Sequence, residues 1–253
     1  MGVSPGPIFV TGASTGIGNC LAGRLAALGH HVFATARRAD DVERLRAIDG
    51  VEPVLMDVRS ADDIHCAVAQ VKQRGLGLFG LVNNAGLGGL GPLAAWSDDD
   101  LLEIFDVNAL APVRLTRAFL PLLVEARGRV VTIGSQGGSI TKCYYGPYTM
   151  TKHALEAFTA TLAEELGPYG VRTSIVQPGG VVSAIGENSF EGTMNRFRRA
   201  APPFAAEAKA VIESMQQEAP EPSEDEPQSE TNRKPSPPEI VAVAMLRARA
   251  DRR

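Results

Sequence analysis

Short apolar runs alternate with amphipathic stretches along most of the chain. Six runs are rich in apolar and β-branched residues, and each ends in or is followed by glycine or polar residues: PIFVTG, HVFATA, VEPVLMDV, FGLVNNAG, GRVVTIGS and VRTSIVQPGG. Segments whose apolar residues have helical spacing separate these runs. The alternation predicts βαβ units, and therefore an α/β fold in which helices cover both faces of a doubly wound parallel sheet.

The helical segments carry their own start and stop signals. GIGNCLAGRLAALG closes on Gly29, a residue type typical of helix C-termini, and ADDVERLRAI has Asp40 as a candidate N-cap. Ser60 is a plausible cap for the next helix, and a long helix is predicted from about Asp98 to Ala126. Polar and glycine-rich residues follow the strands at their carboxyl ends, where open parallel sheets bind ligands.

The pattern weakens beyond Val182. The sequence predicts one helix from Ser189 to Met215 and another in PPEIVAVAMLRARADRR. Between them, residues 216–238 are rich in proline and acid and poor in apolar residues, so we expect a disordered insert within a single domain spanning 1–253. Such an insert is either a solvated linker or a segment that docks a partner.

Composition narrows the class of protein. The 253 residues are 44% hydrophobic, which is typical of a globular chain. In residues 216–238, six acids minus two bases give −4, which equals the net charge of the whole chain, so the remainder has no basic field for nucleic acid. Three cysteines without paired spacing indicate a reducing compartment, and we expect a cytoplasmic location.

Neither a membrane span nor a metal site is predicted. No apolar run approaches the roughly 20 residues that cross a bilayer. The start, MGVSPGPIFV, lacks the basic region of a secretory signal. The four histidines show no metal-ligand spacing, so we expect no metal.

The loop TGASTGIG joins the first predicted strand to the first predicted helix. Its glycines are Gly12, Gly16 and Gly18. Glycine lets the backbone approach a pyrophosphate closely, and the following helix N-terminus supplies N–H groups and the positive end of a dipole. A simple strand-to-helix turn is the alternative, but the position after an N-terminal strand favours a dinucleotide site.

The second predicted strand ends in ATARRAD. Sites that prefer NAD place an acid near this point to bind the ribose 2′-hydroxyl, whereas an arginine accommodates the 2′-phosphate of NADP. Ala36 occupies the expected acid position, and Arg37 and Arg38 follow it. The pattern favours NADP, unless the two arginines only begin a solvated helix.

Tyr148 and Lys152 lie four residues apart in GPYTMTKHALEAF, within a predicted helix. Residues at this spacing are neighbours on one helix face. A cation beside a phenol lowers the phenol's pKa, so the pair is either an acid/base device or a coincidence of surface residues. The other motifs favour the device.

With TGASTGIG, NNAG, GSQGG, YTMTK and PGG in order, the chain resembles the short-chain dehydrogenase/reductase family from about Ile8 to Ser183. Its local motifs ATARR, GPYTMTKHALEAF and PGGV are most similar to members acting on steroids and retinoids. The resemblance implies a Rossmann-type sheet of six to seven strands. Family members generally continue into a seventh strand, and the chain reaches Arg253 without a clear one, so we expect a less covered sheet edge.

The resemblance also implies catalytic roles. Tyr148 would be the general acid, Lys152 would lower the pKa of Tyr148 and hold the nicotinamide ribose, and Ser135 would orient the carbonyl. Asn108, in FDVNAL, matches the residue that supports the lysine through a water relay. Trp96, Tyr144 and Tyr145 are candidates for the substrate pocket or for packing.

The NADP(H) contacts implied by the resemblance run through the whole motif set. Asn83 would brace the sheet beside them. The contacts are Gly12, Ser14, Thr15, Gly16, Ile17, Gly18, Arg37, Arg38, Asp57, Val58, Asn84, Ala85, Gly86, Tyr148, Lys152, Pro178, Gly179, Val181 and Ser183.

The leading hypothesis is an NADP-dependent oxidoreductase that acts on a carbonyl or secondary alcohol of an apolar small molecule and forms a homodimer or higher homo-oligomer. One alternative is a 3-oxoacyl-thioester reductase, for which Arg196, Arg198 and Arg199 would form a basic surface for an acyl carrier. Another is a non-catalytic NADP-binding scaffold whose acidic insert binds partners.

Overall fold

The computed structural model describes residues 6–75, 77–181, 185–216 and 236–247, and they contain one parallel sheet of six strands. The strands are β1 (Ile8–Val10), β2 (Val32–Ala36), β3 (Val51–Leu55), β4 (Gly80–Asn83), β5 (Arg129–Ile133) and β6 (Arg172–Val176). Their order across the sheet is β3-β2-β1-β4-β5-β6. The predicted doubly wound α/β fold is therefore confirmed.

Helices connect the strands and cover the sheet. They are α1 (Gly16–Ala27), α2 (Ala39–Arg46), α3 (Ala61–Gln73), α4 (Asp98–Phe105), α5 (Ala111–Glu125), α6 (Gly146–Leu166), α7 (Ile185–Arg198), α8 (Ala205–Gln216) and α9 (Pro238–Arg247). The chain reverses its direction of travel across the sheet between β1 and β4, which are neighbours. Parallel α/β sheets bind ligands at such a switch point, outside the carboxyl ends of the strands.

The central strands are buried on both faces. In β1, Phe9 packs with Phe33 in a core that α3 and α5 complete. Ile8 and Val10 point to the opposite core, which α1, α2 and α9 complete. Because both faces are covered, the central strands are continuously apolar rather than alternating, and this explains why their sequences are strong strand signals.

The long helix predicted from Asp98 to Ala126 is present as α4 and α5, joined by one wide π-helical turn at Asp106–Leu110. The residues Asp98–Glu125 are long and apolar enough, by length and composition alone, to cross a membrane, with 56% of the apolar window buried in the protein. This is weak evidence for a span, since the core helix of a soluble protein has the same features. The sequence pattern predicted no segment long and apolar enough to cross a bilayer, so this helix is longer and more apolar than predicted.

Two local predictions are wrong. The predicted helix from Ser189 to Met215 is two helices, α7 and α8, because Pro202 and Pro203 lie between them and proline lacks the N–H that a helix interior needs. Asp40 is not the N-cap of α2. Arg38 occupies that position, and Asp40 lies in the first turn, where an acid still complements the helix dipole.

Two other capping predictions are confirmed. Ser60 caps α3 by accepting a hydrogen bond from the backbone N–H of Asp63. Gly29 follows α1 with a positive φ of 85°. Most of the predicted insert at 216–238 lies outside the described residues, as does Ser183.

A cluster of polar side chains stabilises the edge strand β3 through Glu52. Its carboxylate accepts hydrogen bonds from Gln70 Nε2 at 2.6 Å and Arg74 Nε at 2.9 Å, and His31 Nε2 lies 2.9 Å away. Burial alone would raise the pKa of Glu52, but these contacts together lower it. The ionised carboxylate is thus the form that the folded protein prefers.

We expect Glu52→Gln to lower the free energy of unfolding at neutral pH by about 1–3 kcal/mol, because it removes charged hydrogen bonds from a largely buried site. A depressed folded-state pKa stabilises the fold above the unfolded pKa, and this contribution disappears as the pH falls through the folded-state value. The difference in free energy of unfolding between the parent and Glu52→Gln should therefore become smaller as the pH falls. Urea unfolding at several pH values measures this difference. Glu43→Gln is the control, since its ion pair with Arg46 on α2 is exposed; equal effects of both variants would contradict the prediction.

Candidate active site

A cleft of about 1090 Å³ opens at the carboxyl ends of the strands. The loop after β1, the ends of β2 and β3, the segment after β4, the turn after β5, the start of α6 and the loop after β6 all line it. Helix α7 forms one wall. The cleft therefore lies where the sheet topology predicts a ligand site.

Close packing fixes the glycine loop at the floor of the cleft. Gly12 has a φ of 63°, and a Cβ there would lie 2.7 Å from the Cα of Ala85. A Cβ on Gly18 would lie 2.4 Å from Asn84 Nδ2 and 2.5 Å from the Gly12 carbonyl oxygen. These two positions admit only glycine, because a larger residue would push the loop away from β4.

The N-terminus of α1 points its free backbone donors at the cleft. Thr15 is the N-cap but makes no side-chain capping bond, and the first turn holds no acidic residue. Ser14, Thr15, Gly16 and Ile17 all line the cleft. Uncapped N–H groups and the positive end of a helix dipole fit a pyrophosphate, so the residues present suit a dinucleotide cofactor.

Neighbouring strands hold this loop in place. Thr35 Oγ1 accepts a hydrogen bond from the Gly12 N–H at 3.1 Å. Asn84 Nδ2 donates to the carbonyl oxygens of Thr11 at 2.8 Å and Gly12 at 2.9 Å. Within the motif NNAG, Asn84 therefore braces the loop. The polar atoms of the buried Asn83 side chain have no hydrogen-bond partner among the residues that the structure describes.

The end of β2 presents a cation rather than an acid. Ala36 is buried, and Arg37 follows it as an exposed residue that lines the cleft. Across from it, hydrogen bonds from Arg59 hold the pKa of Asp57 below its usual range, and the nearby charge of Arg37 adds a smaller effect. Asp57 and Val58 line the same part of the cleft.

Tyr148 and Lys152 face each other on α6, as their spacing predicts. The Lys152 ammonium lies 5.7 Å from the centroid of the Tyr148 ring and donates a hydrogen bond to the Ile133 carbonyl oxygen at 3.0 Å. Ser135, just beyond β5, also lines the cleft, and its Oγ accepts a hydrogen bond from the Gly137 N–H at 3.0 Å. A phenol, an ammonium and a hydroxyl, each able to donate a proton or a hydrogen bond, thus meet at one end of the cleft.

Burial changes the acidity of the pair. It lowers the pKa of Lys152 to about 8. Burial also raises the pKa of the Tyr148 phenol, and a hydrogen bond with Ser135 opposes part of that rise. The sequence predicted that Lys152 lowers the Tyr148 pKa, and this is wrong: burial raises that pKa, and the opposing effect comes from Ser135.

Asn108 lies in the π-helical turn and is only 1% exposed. Its Oδ1 accepts a hydrogen bond from the Leu87 N–H at 2.7 Å, and its Nδ2 donates to the Leu87 carbonyl oxygen at 2.9 Å. A Cβ on Gly86 would lie 3.4 Å from Asn108 Oδ1 and 3.9 Å from Lys152 Nζ. The amide and the ammonium therefore border the same small space, which only glycine leaves open.

The loop after β6 closes the cleft opposite the glycine loop. Pro178, Gly179 and Val181 line it, and the Pro178 carbonyl oxygen accepts a hydrogen bond from the Gln136 N–H at 3.0 Å. Ser236 returns to this loop, where its N–H donates to the Gly180 carbonyl oxygen at 2.8 Å.

Most of the predicted site residues meet in this cleft. Three do not line it: Gly18 packs beneath the glycine loop, Asn108 lies behind Leu87, and Arg38 begins α2. Their roles and those of the lining residues stay predictions. The predicted residues that line the cleft are Gly12, Ser14, Thr15, Gly16, Ile17, Arg37, Asp57, Val58, Asn84, Ala85, Gly86, Ser135, Tyr148, Lys152, Pro178, Gly179 and Val181.

Sequence reasoning missed a second group of lining residues. Thr35, Gln136 and Lys142 contribute polar groups, whereas Leu87, Ile140, Ile185, Phe190 and Met215 contribute apolar ones. Thr35 lies within the motif ATARR, Gln136 lies within GSQGG and Leu87 directly follows NNAG, so the sequence offered a signal for these three. The residues of α7 and α8 carried no motif.

The remaining candidates divide between the cleft and packing. Tyr145 lines the cleft, whereas Tyr144 packs edge-on against Phe197. Trp96 is buried beneath Arg196. Among the described residues, no group of three or more His, Cys, Asp or Glu side chains is placed to hold a metal ion.

Comparison with known proteins gives a consistent assignment. The sequence model described as short chain dehydrogenase matches residues 7–193. Retinol dehydrogenase 16 of Rattus norvegicus is 39% identical over 177 residues, which are 68% of this chain and 56% of the relative. Retinol dehydrogenase 5 of Mus musculus is 40% identical over 178 residues, covering 68% and 55% respectively.

A solved structure described as the closed form of serine dehydrogenase complexed with NADP+ superposes with a TM-score of 0.76 at 28% identity. The match covers 95% of this chain and 87% of that one. The chain spans little more than half the length of the two retinol dehydrogenases.

Proposed function

The chain belongs to the short-chain dehydrogenase family, and we propose that it is an NADP-dependent oxidoreductase acting on a carbonyl or secondary alcohol of an apolar small molecule. The observation that carries the proposal is the convergence of Ser135, Tyr148 and Lys152 at one end of a cleft. The other end of that cleft is lined by the glycine loop and the uncapped N-terminus of α1.

The glycine loop and the first turn of α1 would bind the pyrophosphate, and Arg37 the 2′-phosphate. Lys152 would hold the nicotinamide ribose. A bound NADPH supplies the hydride for reduction of the substrate carbon. The loop at Pro178–Val181 would border the nicotinamide on the side opposite the glycine loop.

The proton comes from this chain. Tyr148 would donate its phenolic proton to the carbonyl oxygen, and its raised pKa keeps that proton in place at neutral pH. Ser135 Oγ accepts a hydrogen bond from the Gly137 N–H, and its hydroxyl also hydrogen-bonds Tyr148. With a substrate bound, the Ser135 O–H would donate to the same carbonyl oxygen. Two donors aimed at the developing oxyanion would stabilise the transition state.

Asn108 would act on Lys152 rather than on the substrate. Its side chain hydrogen-bonds both backbone polar groups of Leu87 and borders the space beside Lys152 Nζ, where a water would resupply protons to the lysine. This follows the role that the family resemblance implies.

An apolar substrate fits the lining of the cleft. Leu87, Ile140, Ile185, Phe190 and Met215 line the same cleft as Tyr148 and Ser135. The two relatives named retinol dehydrogenase support a retinoid, and the sequence motifs extend the class to steroids.

The basic surface that the thioester-reductase alternative needs is reduced. Arg196 is buried, and the exposed Arg199 pairs with Asp100 at 2.6 Å. Arg198 is the one of the three that is both exposed and without an ion pair among the described residues. The scaffold alternative has no role for the grouping of Ser135, Tyr148 and Lys152. Homo-oligomeric assembly and a cytoplasmic location stay predictions.

A carbonyl panel tests the proposal. The purified chain is mixed with NADPH and with all-trans-retinaldehyde, a 3-ketosteroid or an acetoacetyl thioester, and NADPH absorbance is followed. Turnover of the first two supports the proposal, and turnover of the thioester alone supports the alternative. If the chain binds NADPH tightly but turns over none of the compounds at any enzyme concentration, the non-catalytic scaffold is the hypothesis that the result supports.

Arg37→Ala should remove the preference for NADPH over NADH. NADPH carries a 2′-phosphate that can accept a charge-assisted hydrogen bond from Arg37, whereas NADH has no such group. Loss of this contact should therefore weaken NADPH binding by about tenfold and leave NADH binding unchanged. Fluorescence titration with each cofactor measures both constants. Arg46→Ala, an exposed arginine of α2 that pairs with Glu43, is the control and should bind both cofactors as the parent does. A preference that survives in Arg37→Ala would refute this role.

A further inference from the structure

The segment 87–91, here called the substrate loop, follows the motif NNAG and lines the cleft through residues 87–90. Asn108 fixes its first residue, Leu87, as described above. At its far end, the Gly91 N–H donates to the Tyr144 carbonyl oxygen at 3.0 Å. Between these anchors, the loop is held by helix α7.

Helix α7 binds both backbone polar groups of Leu90. The Leu90 N–H donates to Thr193 Oγ1 at 3.2 Å, and Arg196 Nε donates to the Leu90 carbonyl oxygen at 2.8 Å. Arg196 Nη2 also donates to Thr193 Oγ1 at 3.3 Å. Leu90 is therefore tied to α7 in the way that Leu87 is tied to Asn108.

Arg196 is only 5% exposed, which is unusual for an arginine. Its guanidinium lies over the face of Trp96, 3.9 Å from the ring centroid. Asp100 is close enough to act on its charge but forms its ion pair with Arg199. No carboxylate among the described residues forms an ion pair with Arg196. Burying such a cation is costly, so the Leu90 carbonyl, the Thr193 hydroxyl and the Trp96 ring must together compensate for the lost water.

The glycines of the loop make room for this arginine. A Cβ on Gly89 would lie 2.7 Å from Arg196 Nη2, and a Cβ on Gly91 would lie 2.8 Å from Arg196 Cβ. The sequence LGGLG thus serves the contact with α7, a role separate from that of the phosphate-binding glycines. The loop and the arginine fit each other as a pair.

We propose that Arg196, supported by Thr193 and Trp96, is a positioning residue that latches α7 to the substrate loop and so sets the shape of the substrate end of the cleft. The inference rests on the proposed function. Ile185, Phe190 and Thr193 line the cleft from α7, whereas Leu87 and Leu90 line it from the loop. A change in their separation alters substrate binding and leaves the phosphate-binding loop untouched.

The test compares Arg196→Met, Arg196→Lys and the control Arg198→Met, which removes an exposed arginine from the same helix. Loss of one charge-assisted hydrogen bond predicts that Arg196→Met raises KM for the best substrate of the carbonyl panel by about tenfold, with kcat and NADPH affinity within about twofold of the parent. Arg196→Lys keeps a donor but loses the planar stacking on Trp96, and should recover part of the affinity.

Hydrogen–deuterium exchange with NADPH bound gives a readout that needs no turnover. In Arg196→Met, residues 87–91 and 185–198 should exchange faster together, while α1 and α6 keep the exchange rates of the parent. Arg198→Met should change neither segment. A parent chain without turnover would count against the proposed function, whereas the exchange result tests the latch by itself.

The latch is overturned if Arg196→Met leaves both KM and the exchange of residues 87–91 unchanged, or if KM and NADPH affinity worsen equally. If Arg196→Met does not fold, Thr193→Val replaces it, because it removes the hydroxyl between Leu90 and Arg196 and nearly preserves side-chain volume. It should raise KM by about threefold, as expected for a neutral hydrogen bond, and an unchanged KM in this variant would overturn the latch as well.

Discussion

Tyr148→Phe is expected to lower kcat by about 10²- to 10⁴-fold, the usual contribution of general acid–base catalysis. The phenol is the one acidic hydroxyl that α6 presents beside Lys152, and burial keeps it protonated at neutral pH. Phenylalanine keeps the ring and its packing but has no proton to donate. The fold and the NADPH affinity should therefore be preserved.

Steady-state kinetics with the best panel substrate measures the loss, and fluorescence titration confirms that NADPH still binds. Tyr145→Phe is the matched control, because Tyr145 also lines the cleft but is exposed and lies outside the pair on α6. It should keep kcat within about threefold, the loss expected for one neutral hydrogen bond. If Tyr148→Phe retained more than a tenth of the parent kcat, another group would have to supply the proton.

Lys152→Met is expected to reduce kcat/KM roughly a hundredfold, as the loss of a charged hydrogen bond to the cofactor predicts. The same variant should be more stable than the parent. Lys152 is 6% exposed, and within the described part of the chain its ammonium donates one hydrogen bond, to the Ile133 carbonyl oxygen. Burial lowers its pKa from 10.5 to about 8, so the folded protein holds the charge at a cost.

The sign of the stability change depends on pH. From about pH 8 to about pH 10.5 the unfolded chain binds more protons at this lysine than the folded protein does, so the parent gains stability as the pH rises through that window. Below the folded-state pKa, the cost is present in full. The free energy of unfolding of Lys152→Met should therefore exceed that of the parent by roughly 1–3 kcal/mol at neutral pH. This difference should become smaller at alkaline pH.

Urea unfolding at about pH 7 and about pH 9.5 measures this gap within the window set by linkage. Lys209→Met, at an exposed position of α8, is the control and should show no such narrowing. A variant less stable than the parent at neutral pH would mean that Lys152 contributes more through its hydrogen bond than its burial costs.

The sequence alone determined the fold class and the position of the site. The alternation of apolar, β-branched runs with helically periodic segments identified the six strands of the described residues, and the glycine and polar residues at the strand ends marked the edge where the cleft opens. The spacing of Tyr148 and Lys152 likewise placed both on one face of α6. These features depend on neighbours in sequence, and local periodicity records them directly.

The tertiary structure decided the features that depend on distant parts of the chain. Burial, which no local pattern reports, raises the Tyr148 pKa, whereas the spacing of Tyr148 and Lys152 predicted a lowered one. Two prolines divide the predicted helix from Ser189 to Met215, and only the packing of the resulting α7 against residues 87–91 brings Arg196 to Leu90. These two residues lie 106 positions apart, so their contact follows from the path of the sheet and helices in three dimensions.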